Sequence, residues 1–260
     1  MKAELYKRIL ETELNYIKCF SDFYEEQEVI NFKDDKLRDM YMHNFIFLKE
    51  LMNEDELNNF IATELKNAEK DCLEHIHIMI NADIKNYDLK SIFPKIEITE
   101  YCFMAITPKN FNKLKVKEDC FVFKANTSKT LADGSLVDIH ANKAAMGEDF
   151  AIKRIKRKME VYHNNPNLDL YVCYKDNKPI GNCEFFIKDG IGKIEDFDIL
   201  DEYQKQGYGT SVLHTLLYES YCENLDITYL ITDNSDTTKE MYKKCGFSIE
   251  GIKTSILFKL

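Results

Sequence analysis

The sequence contains no apolar stretch near the roughly 18–20 residues that a membrane-spanning helix needs, so membrane insertion drops out as a function class. It has no Cys-x-x-Cys pair either. The eight cysteines (Cys19, Cys72, Cys102, Cys120, Cys173, Cys183, Cys222 and Cys245) are scattered, which argues for reduced, packed thiols over a disulfide framework. Positive charge is in short supply: 35 Lys and Arg face 45 Asp and Glu, for a net charge of −10 and a pI near 5.2. Non-specific nucleic-acid binding depends on clustered cations and is disfavoured, whereas an acidic surface steers amines. Glycine is missing from the first half, all nine lying at Gly134 or later, which suggests two regions of different character. The start, Met1-Lys2-Ala3-Glu4-Leu5, turns acidic at once and reads as neither signal nor transit peptide, so a cytoplasmic location is expected.

What is present suits one large or two small soluble α/β domains: 260 residues, 45% apolar and 31% charged. At the front, Leu5, Ile9, Leu14, Ile17 and Phe20 share a helical stripe, and Asn53 caps a helix carrying Leu57, Phe60, Ile61 and Leu65. Residues 41–48, 75–80 and 98–106 read as strands. His75 and His77 share one strand face, but no third ligand stands at a fixed spacing, so no metal site is expected. Residues 108–117 form a polar linker. Beyond it come a strand at 121–123, helices over 134–145 and 148–163, and a hairpin over 168–186. The basic cluster Lys153-Arg154-Ile155-Lys156-Arg157-Lys158 reads as a solvated helix face rather than a phosphate patch.

The chemistry centres on Gln204-Lys205-Gln206-Gly207-Tyr208-Gly209-Thr210. An acidic strand, Ile194-Glu195-Asp196-Phe197-Asp198-Ile199-Leu200, precedes it, and a helix with Val212, Leu213, Leu216 and Leu217 follows. Glycines where a strand turns into a helix leave the first amides and the positive dipole end open to an anion such as pyrophosphate. The P-loop is excluded because Thr210 follows Gly209 with no Lys between, and the dinucleotide fingerprint because a third glycine is absent. Downstream, a strand at 227–232 and a helix at about 236–244 lead to Tyr242-Lys243-Lys244-Cys245-Gly246-Phe247, and residues 254–260 supply a last strand.

Gln204-x-x-Gly207-x-Gly209 after an acidic strand, followed by a helical Tyr242 closed by Gly246-Phe247, resembles the GNAT superfamily of N-acetyltransferases. The resemblance covers about residues 119–260. It implies a mixed-sheet acyl-CoA N-acyltransferase fold, with residues 1–107 as a smaller N-terminal α/β lobe, either a degenerate repeat of the same fold or an unrelated lid. It further implies acetyl-CoA as cosubstrate and a small-molecule or peptide amine as acceptor, and it allows a homodimer.

By that resemblance the loop from Gln204 to Thr210, including Lys205, Gln206 and Tyr208, holds the pyrophosphate, and the backbone at Phe197 and Ile199 pairs with the pantetheine arm. Asn234 and Ser235 lie where the family contacts the cofactor, though either is equally readable as a helix cap. Tyr242 matches the tyrosine that protonates the departing thiolate, or its hydroxyl only orients the cofactor. Glu195, placed by strict strand alternation on the face of Phe197 and Ile199, is read as general base, amine anchor or paired structural acid, with Glu184 as understudy. Gln204 stands where the family usually has Arg, and Lys205 or Lys239 compensates for the missing charge. Cys245 has no His or Asp partner by spacing and reads as a packed thiol. The expected activity is acetyl transfer to a primary amine by direct attack. The alternatives are a CoA-binding sensor without turnover, or a transferase using another acyl-CoA or a hydroxyl acceptor.

Overall fold

The computed structural model describes residues 2–260. The chain opens with α1 (Lys2–Ile17), β1 (Asp22–Glu25), β2 (Val29–Lys33), β3 (Phe45–Leu48), α2 (Glu54–Lys70), β4 (His75–Ile80), a one-turn α3 (Leu89–Ile92) and β5 (Glu97–Ile106). It continues with β6 (Phe121–Lys124), α4 (Ser128–Met146), α5 (Glu148–Asn164), β7 (Leu168–Lys175), β8 (Lys178–Lys188) and β9 (Ile191–Ile199). Last come α6 (Tyr208–Cys222), β10 (Ile227–Asp233), α7 (Thr238–Lys244) and β11 (Ser248–Lys259). The hairpin β1–β2 has no counterpart in the sequence reading, and residues 41–48 split into a 3-10 turn at Tyr41–His43 and the short β3.

These elements form two compact units. One gathers the residues up to Cys19 with Met104–Ile231 and Glu240–Ile249, and the other Phe20–Phe103, Thr232–Lys239 and Glu250–Leu260. The units are interleaved, whereas the sequence reading divides the chain once, between 107 and 119.

In the second unit the strand order is β1-β2-β3-β4-β11-β5, with β3 parallel to β4 and β4 antiparallel to β11. Helix α2 starts in a capping box, the Asn53 side chain accepting from Glu56 N–H while the Glu56 carboxylate accepts from Asn53 N–H. Its Leu57 and Ile61 are buried in one core with Ile78, Ile80, Ile256 and Phe258. His77 is buried between Tyr41 C=O and Ser255 Oγ, both at 2.8 Å, and burial pulls its pKa down to about 4. It is a neutral core histidine.

In the first unit the order is β10-β9-β8-β7-β6, antiparallel throughout except for the parallel β10–β9 pair. Helix α6 buries Val212, Leu213, Leu216 and Leu217 almost completely, each contributing about 1.5–3 kcal/mol. That packing fixes where the helix begins, a few residues beyond the end of β9. None of the eight cysteines is in a disulfide, with the Cys120 and Cys173 sulfurs 3.4 Å apart. No helix among the described residues is long and apolar enough to cross a membrane.

Candidate active site

Two features of β9 shape the site. The parallel ladder with β10 runs from Ile227↔Ile191 to Leu230↔Ile194 and stops, although β9 continues to Ile199. On its other edge, β9 pairs Glu195 with Glu184 and Asp198 with Asn182, so three steps of β9 oppose two of β8. The extra residue makes a bulge, and Asp196 there has φ +45°, a conformation that costs a side chain-bearing residue about 1–2 kcal/mol.

The bulge reverses the alternation of the strand. Cβ atoms built on Gly209 and Gly181 would meet Phe197 and Ile199, which places these two on the α6 side of the sheet. Glu195 is the cross-strand partner of Glu184 and bonds Lys193, while Asp196 and Asp198 reach α5 and α4. Glu195 therefore stands with Asp196 and Asp198, opposite Phe197 and Ile199, which corrects the placement expected from unbroken alternation.

The α4/α5 face carries a buried ionic network. Arg154 Nη1 donates to both oxygens of Asp138, at 3.0 and 2.9 Å, and Nη2 donates to Asp196. Lys158, one turn on, bridges Asp196 and Glu184, the latter at 2.6 Å. Glu184 also accepts from the hydroxyls of Tyr16 (2.5 Å) and Tyr162. Lys193 bridges Glu13 and Glu195, the latter at 2.6 Å, and Tyr229 donates to Glu13 at 3.2 Å. Arg154 and Lys158 are thus core residues clamping the bulge, not the solvated face their neighbours Lys153 and Lys156 occupy. Burial works against the Lys158 charge, but Asp196 and Glu184 more than offset it and raise its pKa.

Asp198, which the sequence reading passes over, differs from these acids. Its one hydrogen bond is to an amide, Asn142 Nδ2 at 3.2 Å. Burial, with Asp196 and Asp138 nearby, lifts its pKa to about 6. A carboxyl poised there can exchange a proton near neutrality. Glu195 is also shifted up, by burial against the opposing pull of Lys193, and is partly exposed.

At the glycine loop, Gly207 caps α6 with φ +94° and ψ 0°, a left-handed conformation natural to glycine. A Cβ there would meet only the flexible Lys117 side chain at 3.5 Å. The first-turn amides of α6 receive no side-chain cap. Gln204 Nε2 donates back to Ile199 C=O and Asp201 (both 2.9 Å), and Gln206 Nε2 to Glu202 C=O at 2.7 Å. These two side-chain amides brace the loop in this structure. Tyr208 is buried, its hydroxyl on Asp119 at 2.9 Å, so only its backbone faces the loop. Lys205 is exposed, with φ +58°.

The second motif meets the first where the Thr210 side chain draws the Cys245 thiol pKa down against the larger upward push of burial. Tyr242 is buried on α7, its ring edge-on to Phe247 at 5.8 Å. Gly246, with φ +99°, ends that helix, and Phe247 N–H returns to Tyr242 C=O at 3.0 Å. Asn234 and Ser235 belong to the other unit. There Asn234 is held by Glu100 (3.2 Å) and Lys239 (2.8 Å), and Ser235 by Asp233. Both line a polar pocket of about 690 Å³ with Lys85, Asp88 and Glu100.

A strand edge without a ladder beside an uncapped, glycine-opened helix start fits an extended chain ending in a diphosphate. The edge offers backbone groups to an amide-bearing arm, and the helix start offers amides to the phosphates.

Residues 140–247 match the model of the family described as Acetyltransferase (GNAT). A Bacillus subtilis (strain 168) protein named Uncharacterized N-acetyltransferase CgeE is 25% identical over 248 residues, which span 91% of this chain and 92% of that protein. Among solved structures, a functionally unknown conserved protein from Staphylococcus epidermidis ATCC 12228 superposes with a TM-score of 0.77 at 22% identity, covering 92% of this chain and 94% of that one. A GCN5-related N-acetyltransferase from Kribbella flavida superposes with a TM-score of 0.69 at 11% identity, over 96% and 94% respectively. These two likenesses carry the fold. The family's reaction is acetyl transfer from an acyl-CoA, and this chain is an acyltransferase whose residues 140–247 match that GNAT domain.

Proposed function

We propose that the protein transfers the acetyl group of acetyl-CoA to a primary amine by direct attack, without an acyl-enzyme. The observation that carries this reading is the parting of β9 from β10 at Ile194, beside the Gly207-capped start of α6. Acetyl-CoA held there supplies an activated acyl group and a thiolate leaving group. The amides opening α6 at Tyr208, Gly209 and Thr210 hold the diphosphate, with Lys205 adding charge, and the backbone of Phe197 and Ile199 aligns the arm.

The acceptor reaches the site as R–NH3⁺ and must lose a proton to become a nucleophile. Asp198, titrating near 6, takes it; Glu195, held by Lys193, anchors the amine. The C–N bond forms as the C–S bond breaks. One of the two protons leaving nitrogen passes to solvent through the carboxylate, and Tyr242 delivers the other to sulfur. The exchange closes as R–NH3⁺ plus thioester giving amide, thiol and one H⁺.

The test pairs thermal stabilisation by CoA with mass spectrometry of products from an amine panel. An acetylated amine is expected. Tyr242→Phe should lower kcat by roughly 10²-fold or more while CoA affinity is kept. A protein that CoA does not stabilise would refute the reading.

A further inference from the structure

We infer that the acceptor is an aliphatic amine carrying a second positive charge, a di- or polyamine, bound against Asn182 Oδ1, Asp198 and Glu195. The inference rests on the acetyltransferase reading for its chemistry, but its site stands on charge and hydrogen bonding alone.

Six carboxylates share the α4/α5 face of the first unit: Glu13, Asp138, Glu184, Glu195, Asp196 and Asp198. Three cations face them, and each already bridges two: Arg154 spans Asp138 and Asp196, Lys158 spans Glu184 and Asp196, and Lys193 spans Glu13 and Glu195. Six minus three leaves a surplus of three negative charges with every group ionised. Among the described residues Asp198 has an amide partner and no ion pair, Arg154 acting on it only at a distance. Excess charge held away from water calls for a positive partner or for protonation.

Asn182 supplies an independent sign of a ligand. It is 2% exposed, and its Oδ1 has no hydrogen-bond partner. Its side chain stands on the face of β8 that carries Glu184, directly across from Asp198. A buried carbonyl oxygen left unpaired is costly. Beside a carboxylate that also only accepts, the missing group is a donor with several N–H bonds and positive charge. An ammonium meets both demands, whereas a hydroxyl or an arylamine brings no charge. One ammonium satisfies Asn182 and Asp198. The remaining surplus, with Glu195 partly exposed on the same sheet face, favours a compound that keeps a second cation once the first nitrogen has given up its proton.

The test uses the full chain with 1,4-diaminobutane, 1-aminobutane and 4-aminobutan-1-ol. Calorimetry without CoA should show the diamine binding roughly tenfold tighter than either monocation, an advantage that shrinks as salt rises. In turnover, kcat/KM should follow the same order. Asn182→Leu and Asp198→Asn should each weaken diamine binding roughly tenfold while stabilisation by CoA is unchanged, which also certifies the fold. Equal affinity for diamine and monoamine, with CoA still binding, would overturn this inference and leave the acetyltransferase reading intact. Diamine binding in a protein that ignores CoA would do the reverse.

Discussion

Replacing Asp198 by Asn should make the protein more stable while weakening its hold on the acceptor. The native carboxyl titrates at about 6 because burial, Asp196 and Asp138 all oppose its charge, against about 3.9 in an unfolded chain. An acid with a raised native pKa binds its proton more tightly when folded. Its contribution to stability is complete below about pH 4 and is lost as pH rises through 6. At about 1.4 kcal/mol per pH unit, a gap of about 2 units sets a ceiling near 3 kcal/mol. The carboxyl is only partly withdrawn from water, which discounts the effect to about 1–2 kcal/mol. Asparagine keeps the shape and can still accept from Asn142, but carries no charge at any pH. The variant should match the wild type near pH 4 and exceed it by about 1–2 kcal/mol near pH 8, or roughly 2–8 °C in Tm. Urea titrations at the two pH values measure this directly. No gain near pH 8, or the same gain at both pH values, would refute the assignment of a strained, ionised carboxylate at this position.

Lys158→Met removes the cation shared by Glu184 and Asp196 and should cost about 3–5 kcal/mol by chemical denaturation; a loss below about 1 kcal/mol would contradict a clamp on the bulge. Lys158 and Lys193 both have raised native pKa values, so their stabilisation is present below the unfolded value of about 10.4 and is lost above it, and circular dichroism should show alkaline unfolding setting in there. Gly207→Ala places a Cβ at φ +94°, at a cost of about 1 kcal/mol, and should weaken CoA binding roughly tenfold by calorimetry through crowding of the anion's approach.

The parts of the fold that depend on local chemistry are legible from residue order. The cap at Asn53, the strand at His75–Ile80, the strand-to-helix turn at Gly207 and the Gly246 stop each follow from a side chain or its absence within a few residues. What escapes the sequence depends on contacts distant in the chain. Arg154 and Lys158 sit in a run of six residues rich in cations, and only the acids of α4, β8 and β9 decide that these two turn inward. Asp198 looks like one more acid until α4 brings it Asn142 and, among the described residues, no ion pair. The bulge is invisible because Asp196 carries no turn signature. A glycine there would have announced it.

That choice of residue has a physical logic. A glycine at the bulge would adopt φ +45° freely, but it would present no carboxylate to Arg154 and Lys158, and the strand would lose the bonds that fix its course. Aspartate accepts a cost of about 1–2 kcal/mol in backbone strain, offset by two charge-assisted hydrogen bonds of roughly 1.5–3 kcal/mol each. The same extra residue decides where the chemistry points. With alternation unbroken from Glu195, Asp196 and Asp198 would both turn to the α6 side, away from Asn142, Arg154 and Lys158. With it, three carboxylates of one strand stand on a single face, while the apolar side chains of Phe197 and Ile199 face the glycine-opened helix. One inserted residue thus divides β9 into an acidic side suited to an amine and an apolar side suited to an acyl donor.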